Sequence, residues 1–299
     1  MTGLDFCGLR LAHPIVNGSG TFDAIAALRA FGDALLERFP FAAFVSKTIT
    51  LAPRDGNPPP RLYETPAGLV NSIGLPNKGL RGYLEHDLPE LAELPVPLIV
   101  NVMGSTREEV ATLVAAFAER DVVAALELNL SCSNVKTGLD FGVDPAATEG
   151  LIAHVRPLTD KPLIVKLTPN ATDSAAVAEA ARDGGADAVS LINTLRAMPL
   201  HPMTGEPWLG GRTGGASGPA IRTIALAQVA QVAARVNLPI VGMGGVQRGR
   251  DALDLMHAGA TVVAVGTESF RDPLAATRIV HEMTRSEASR SLEAPSTAR

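Results

Sequence analysis

The run Asn129-Leu130-Ser131-Cys132-Ser133-Asn134 sets a thiol between carboxamides, directly after the apolar stretch Val122-Val123-Ala124-Ala125-Leu126-Glu127-Leu128. A thiolate can take a proton, and a carboxamide donates and accepts hydrogen bonds without carrying charge. Together they suit proton transfer at a neutral, planar, amide-bearing molecule. The plainer reading of a lone cysteine is an inert buried thiol. Against it stands the segment Lys136-Thr137-Gly138-Leu139-Asp140-Phe141-Gly142, whose glycines and polar residues have the composition of a loop able to close over a site. Cys7, beside Phe6 in an amino-terminal hairpin, reads as structural.

Two lysines also end apolar runs, Lys47 and Lys166. A fixed ammonium stabilises negative charge that develops on a reduced, electron-rich ring. The same side chains can form a Schiff base, which leaves an aldolase as a rival reading. Glu127 lies two residues before Asn129 and so on the same side of its strand, where it reads as a structural carboxylate paired with a cation. Gly244-Gly245 and Gly266-Thr267 close the last two apolar runs, and bare backbone N–H groups there can approach a phosphate, with Ser217-Gly218 adding donors. His13, His86, His154, His201, His257 and His281 show no metal-ligand spacing and receive no catalytic role. Cys7 and Cys132 are the only cysteines, too few for a disulfide framework or a self-contained zinc or iron–sulfur site.

The elements that must position these groups recur along the chain. Short apolar runs stand at Pro14-Ile15-Val16-Asn17, Phe44-Val45-Ser46-Lys47, Leu98-Ile99-Val100-Asn101, Ala125-Leu126-Glu127-Leu128-Asn129, Leu163-Ile164-Val165-Lys166, Val189-Ser190-Leu191-Ile192-Asn193, Ile240-Val241-Gly242 and Val262-Val263-Ala264-Val265-Gly266. Helix-period segments at 25–38, 107–120, 148–158, 174–183, 220–236, 249–258 and 274–284 separate them. Thr106 and Glu109 form a capping-box pattern, and Gly184-Gly185 and Gly259 are stops. Repeated βα units of this kind predict an α/β fold, a (β/α)8 TIM barrel, whose active site lies at the carboxyl ends of the strands. A doubly wound sheet is the rival, but no G-x-G-x-x-G follows the first strand.

The 299 residues fit one barrel domain over residues 1–285, for a barrel takes about 250 residues. Residues 286–299 lack period and read as a disordered tail. Residues 52–80 and 195–217 read as long structureless loop insertions at the active-site face. A content of 46% apolar and 4% aromatic residues predicts an aliphatic core. The net charge of −5 argues against a nucleic-acid partner. No basic-then-apolar leader and no run of about 20 apolar residues is present, so the expected location is cytoplasmic, away from membranes.

Several motifs carry a family resemblance: Asn71-Ser72-Ile73-Gly74-Leu75, Asn129-Leu130-Ser131-Cys132, Val165-Lys166-Leu167-Thr168-Pro169, Ile192-Asn193-Thr194, Gly242-Met243-Gly244-Gly245 and Ala264-Val265-Gly266-Thr267. Over residues 3 to about 284 the chain resembles the class 1 dihydroorotate dehydrogenases. The segments Arg54-Asp55-Gly56-Asn57-Pro58-Pro59-Pro60-Arg61, Asn193-Thr194-Leu195-Arg196 and Gly214-Gly215-Ala216-Ser217-Gly218-Pro219-Ala220 resemble the catalytic chain of subgroup B.

The resemblance implies one FMN per chain, with its phosphate at Gly244, Gly245, Gly266 and Thr267, and Lys166 beside the pyrimidine edge. Ser19, Gly20, Lys47, Thr48, Asn101, Asn129, Ile192 and Gly218 would complete the cofactor shell. Dihydroorotate would be held by Asn71, Ser72, Ile73, Gly74, Leu75, Asn129, Asn134, Asn193 and Thr194, with Lys47 adding positive charge. Cys132 would take the proton from carbon 5 as hydride leaves carbon 6 for the flavin, giving orotate in pyrimidine biosynthesis. Two residues depart from the family pattern: Ser133 replaces the usual proline and Ala197 the expected glycine.

The quinone-using class is set aside, because its membrane extension and serine base are missing from this sequence. Subgroup B passes electrons through FAD and an iron–sulfur cluster to NAD. The resemblance therefore implies a homodimer joined by an electron-transfer subunit that carries both groups, in a heterotetramer. A fumarate-using dihydroorotate dehydrogenase is the alternative within the class.

Overall fold

The computed structural model describes residues 3–130 and 141–293. Eight parallel strands form the central sheet: β1 (Ile15–Asn17), β2 (Phe44–Val45), β3 (Leu98–Val102), β4 (Val123–Asn129), β5 (Leu163–Lys166), β6 (Ala188–Leu191), β7 (Ile240–Met243) and β8 (Val262–Val265). Their order is β2-β3-β4-β5-β6-β7-β8-β1, so each strand from β2 onward pairs with its successor and β8 pairs with β1. This is the expected barrel, and every strand overlaps its apolar run.

The strands are apolar throughout because both faces are covered. Val16, Val45, Ile99, Ala125, Ile164, Val241 and Ala264 fill the interior, while Ile15, Leu126, Leu128, Val165 and Val263 pack outward against the helices. The hairpin of Leu4–Phe6 and Leu9–Leu11 adds Phe6 and Leu11 to the inner cluster at the amino ends of the strands.

The seam between β1 and β2 has no backbone ladder of its own. Instead Asn17 Nδ2 donates to Val45 O and Val45 N donates to Asn17 Oδ1, each at 2.8 Å. The carboxamide thus does the work of a peptide unit, and Ala42 N donates to Ile15 O at 2.9 Å beside it. Asn17→Ala would leave both polar groups of buried Val45 unmatched, at a cost of about 2–4 kcal/mol. We expect a lower urea midpoint with an unchanged denaturant slope.

The helices follow the expected spacing, with informative differences. Thr106 caps Arg107–Ala118 by accepting from Glu109 N at 3.2 Å, but the Glu109 carboxylate accepts from Ser105 N at 2.6 Å, one residue ahead of the usual capping box. The segment predicted as one helix over 25–38 is two, Ala24–Phe31 and Asp33–Glu37, broken at Gly32. Between β2 and β3 the covering helix is built from Gly79–Gly82, Tyr83–Asp87 and Leu88–Leu91. Its glycines and Pro89 hide it from propensity, and burial of Tyr83, Leu88 and Leu91 stabilises it. The last helix, Ala275–Glu293, runs past residue 284 and into the stretch expected to fray. No proline or glycine interrupts the sequence from Ala275 to Glu293.

The two insertions expected to be structureless are joined to each other. Leu62–Thr65, Gly68–Asn71, Gly214–Ser217 and Leu195–Ala197 form a four-stranded antiparallel sheet. Asn71 pairs with Gly215, 144 residues away along the chain. Strands so short and glycine-rich carry no period of their own, and only the partner strand makes them extended. Among the described residues no helix is long and apolar enough to cross a membrane.

Candidate active site

The carboxyl ends of the barrel strands and the antiparallel sheet enclose a cavity of about 500 Å³. Ser19, Gly20, Lys47, Thr48, Asn71, Ile73, Gly74, Leu75, Asn129, Lys166, Ile192, Asn193, Thr194, Gly218, Gly244, Gly245, Gly266 and Thr267 all line it. Two expected residues stand behind its wall. Ser72 is fully buried and its Oγ accepts from Asn57 Nδ2 at 2.9 Å, so it braces the loop that carries Asn71 and Ile73. Asn101 is fully buried and donates to Glu127. Cys132 and Asn134 lie outside the described residues.

At one end of the cavity Gly244 and Gly245 follow β7 with φ of +130° and +73°. A Cβ on Gly245 would stand 2.7 Å from Arg222 Cβ and 2.9 Å from Gly218 O, so only glycine fits without displacement. The loop is pinned by Asp251, which accepts from Gln247 N and Arg248 N at 3.0 Å and pairs with Arg222. Thr267 Oγ1 donates to Ser217 Oγ at 2.9 Å, tying the turn after β8 to the antiparallel sheet. Within the described residues the backbone N–H groups of Gly244, Gly245, Gly266 and Thr267 form no hydrogen bond, which leaves converging donors for an anion. Gly245→Ala should therefore weaken FMN binding about tenfold or more, since the backbone strain is about 1–3 kcal/mol. Quenching of flavin fluorescence on titration measures it.

At the barrel centre, Lys166 Nζ lies 3.9 Å from Glu127 Oε1, with both side chains buried. Glu127 also accepts from Asn101 Nδ2 at 2.5 Å and from Ser190 Oγ at 2.8 Å. This is the pairing expected of Glu127. The pairing sets Lys166 in the cavity wall as a charge for a bound ligand. Asn101 Oδ1 is buried without a partner among the described residues. The free N–H cradle and Lys166 fit an FMN.

Lys47 is exposed over the cavity. Desolvation lowers its pKa; Asp23 opposes that shift and Arg61 adds to it. Its charge is accordingly lost at lower pH than an ordinary lysine's, so binding of an anionic group beside it weakens sooner as the solution becomes alkaline. The amides are oriented by neighbouring atoms: Asn129 Nδ2 donates to Thr48 Oγ1 at 3.3 Å, Asn71 Nδ2 donates to Gly215 O at 3.2 Å, and Asn193 Oδ1 accepts from Thr194 N at 2.8 Å.

Several wall residues escaped the sequence reading, among them Thr21, Glu64, Gln247 and Arg271. Gln247 and Arg271 sit within a few residues of the two glycine turns, and that proximity was the available signal. Glu64 enters only through the antiparallel sheet. Cys7 lies away from the cavity: its Sγ donates to Asp187 O at 3.5 Å. Burial, with Asp187 and Asp5 nearby, pushes its pKa up to about 11, so it stays a thiol at neutral pH. Cys7→Ser should leave turnover unchanged in a steady-state assay.

The chain matches the dihydroorotate dehydrogenase family over residues 1–286. It is 47% identical over 277 residues to the protein named dihydroorotate dehydrogenase B (NAD(+)), catalytic subunit, of Citrifermentans bemidjiense, covering 92% of this chain and 90% of that one. The proteins of the same name from Pelobacter propionicus and Desulforudis audaxviator are 46% and 44% identical, each covering 94% of this chain and 92% and 91% of theirs. A crystal structure of the dihydroorotate dehydrogenase of Eimeria tenella in complex with ferulenol superposes with a TM-score of 0.79 at 22% identity, covering 97% of this chain and 85% of that one, which shows the common fold. By its matched residues and its relatives, the chain belongs to the dihydroorotate dehydrogenase family, on the branch of the class 1 subgroup B catalytic subunits.

Proposed function

We propose that this chain oxidises dihydroorotate to orotate with one bound FMN and passes the electrons towards NAD through a second subunit. The observation that carries the reading is the single cavity that joins an anion cradle at Gly244, Gly245, Gly266 and Thr267 to Lys166 and the amides of Asn71, Asn129 and Asn193. FMN, when bound, supplies the hydride acceptor. The chain's own residues do the rest. The glycine turns hold the phosphate, and Lys166 places positive charge at the centre of the cavity. Asn71, Asn129, Asn193 and Thr194 match the donors and acceptors of a diketo ring, for which charged groups would leave atoms unmatched. Lys47 supplies charge for the substrate's carboxylate. Cys132, with Asn134 nearby in sequence, takes the proton from carbon 5.

In this reading the outlet for the electrons lies on another chain. An iron–sulfur cluster takes about four cysteine ligands, and the sequence has two cysteines. The reading thus includes a subunit with FAD and the cluster, docked on a homodimer. The purified chain should be yellow and should bleach when dihydroorotate is added without oxygen. It should reduce a dye but not NAD. A colourless protein that gains no flavin on reconstitution overturns the reading; full-rate NAD reduction by the chain alone overturns the partner.

A further inference from the structure

Glu127 is a carboxylate at 3% exposure inside a barrel whose inner face is otherwise mostly aliphatic. A buried charge persists only when matched. Its hydrogen bonds come from neutral donors, Asn101 Nδ2 and Ser190 Oγ. Lys166 Nζ, at 3.9 Å, is beyond hydrogen-bond reach and yet close enough for strong Coulombic attraction in a poorly solvated setting. Glu127 therefore offsets the charge of Lys166 while leaving its N–H groups available to whatever fills the cavity that Lys166 lines.

We propose that Glu127 is a positioning residue that sets the electron affinity of the bound flavin through Lys166. The inference rests on the functional reading above. A lone ammonium at the cavity centre would hold a reduced, negatively charged ring tightly and hinder its reoxidation. The pair carries little net charge, so the reduced cofactor stays able to release its electrons. Asn101 and Ser190 keep the carboxylate from closing on Lys166, because both of its oxygens are already engaged.

Glu127→Gln tests this, since it removes the charge and keeps the shape. Gln Oε1 can accept from Asn101, and the Ser190 hydroxyl can turn to accept from Gln Nε2, so the amide keeps both neutral neighbours. At a fixed redox-dye poise the ratio of reduced to oxidised flavin should rise about tenfold, an upward shift of about 30 mV for a two-electron couple. Reoxidation should slow, while the FMN dissociation constant stays within about threefold. A folded, yellow E127Q protein with the wild-type potential overturns the inference, because a purely structural carboxylate would change stability alone. If E127Q fails to fold, Ser190→Ala decides. It takes one donor from the carboxylate and leaves more of its charge to Lys166, so the potential should fall; an unchanged potential overturns the inference. A wild-type chain that binds no flavin sinks the functional reading instead, and the inference with it.

Discussion

Cys132→Ser should reduce its flavin with dihydroorotate about 10²–10⁴-fold more slowly than the wild type, the span that a positioned general base contributes. The visible spectrum of the bound flavin should not change, because the residues that line the cavity remain in place. A serine hydroxyl with no group to activate it is far too weak an acid to be ionised near neutral pH. The pH profile separates this account from simple loss of fit. A free thiol has a pKa of about 8.5. The wild-type reduction rate should rise with pH through the thiol's range and level off once the thiolate is complete, and the variant should lack that rise. Anaerobic stopped-flow measurement of flavin bleaching reads both quantities. Equal rates for the two proteins would remove Cys132 from the mechanism. Cys7 cannot stand in for it, since its thiol stays protonated to about pH 11 and lies away from the cavity.

Lys166→Met should cost about 3–5 kcal/mol of stability, the penalty for leaving a buried carboxylate without its cation. Asn101 and Ser190 would still donate to Glu127, but both are neutral and cannot match its charge. Urea unfolding of the flavin-free protein measures this without help from ligand binding. The double variant Lys166→Met, Glu127→Leu should recover part of the loss, and that non-additivity is the signature of a direct charge interaction. The single variant should also bind FMN more weakly, because the cavity loses its buried cation. A Lys166→Met protein as stable as the wild type would show that the pair contributes nothing, and would remove the basis for assigning Glu127 a role through it.

Much of the barrel was legible because its strands are covered on both sides. Leu163-Ile164-Val165-Lys166 and Val262-Val263-Ala264-Val265 read as strands in isolation, and they are strands. Polar strand-end residues such as Lys166 and Asn129 then converge because parallel strands of one barrel point the same way. The site was legible for the same reason, and Lys166 and Asn129 line the cavity as the register requires. Register could not say which polar side chains a neighbour would claim. Asn17 is a strand-end carboxamide like Asn129, yet it is turned to the β1–β2 seam, while Asn101 is turned to Glu127. Ser72 stands among cavity residues in sequence and is taken up by Asn57.

From the order of residues alone came the repeated βα pattern, the glycine turns after β7 and β8, and the amide-and-lysine chemistry of the strand ends. Each depends on composition within a few positions, where burial and backbone freedom act locally. The tertiary structure alone decided that residues 52–80 and 195–217 meet in one sheet over the cavity, that a carboxamide closes the barrel, and that Glu127 faces Lys166 from 3.9 Å. These depend on atoms far apart in the chain, whose distances exist only once the barrel has closed.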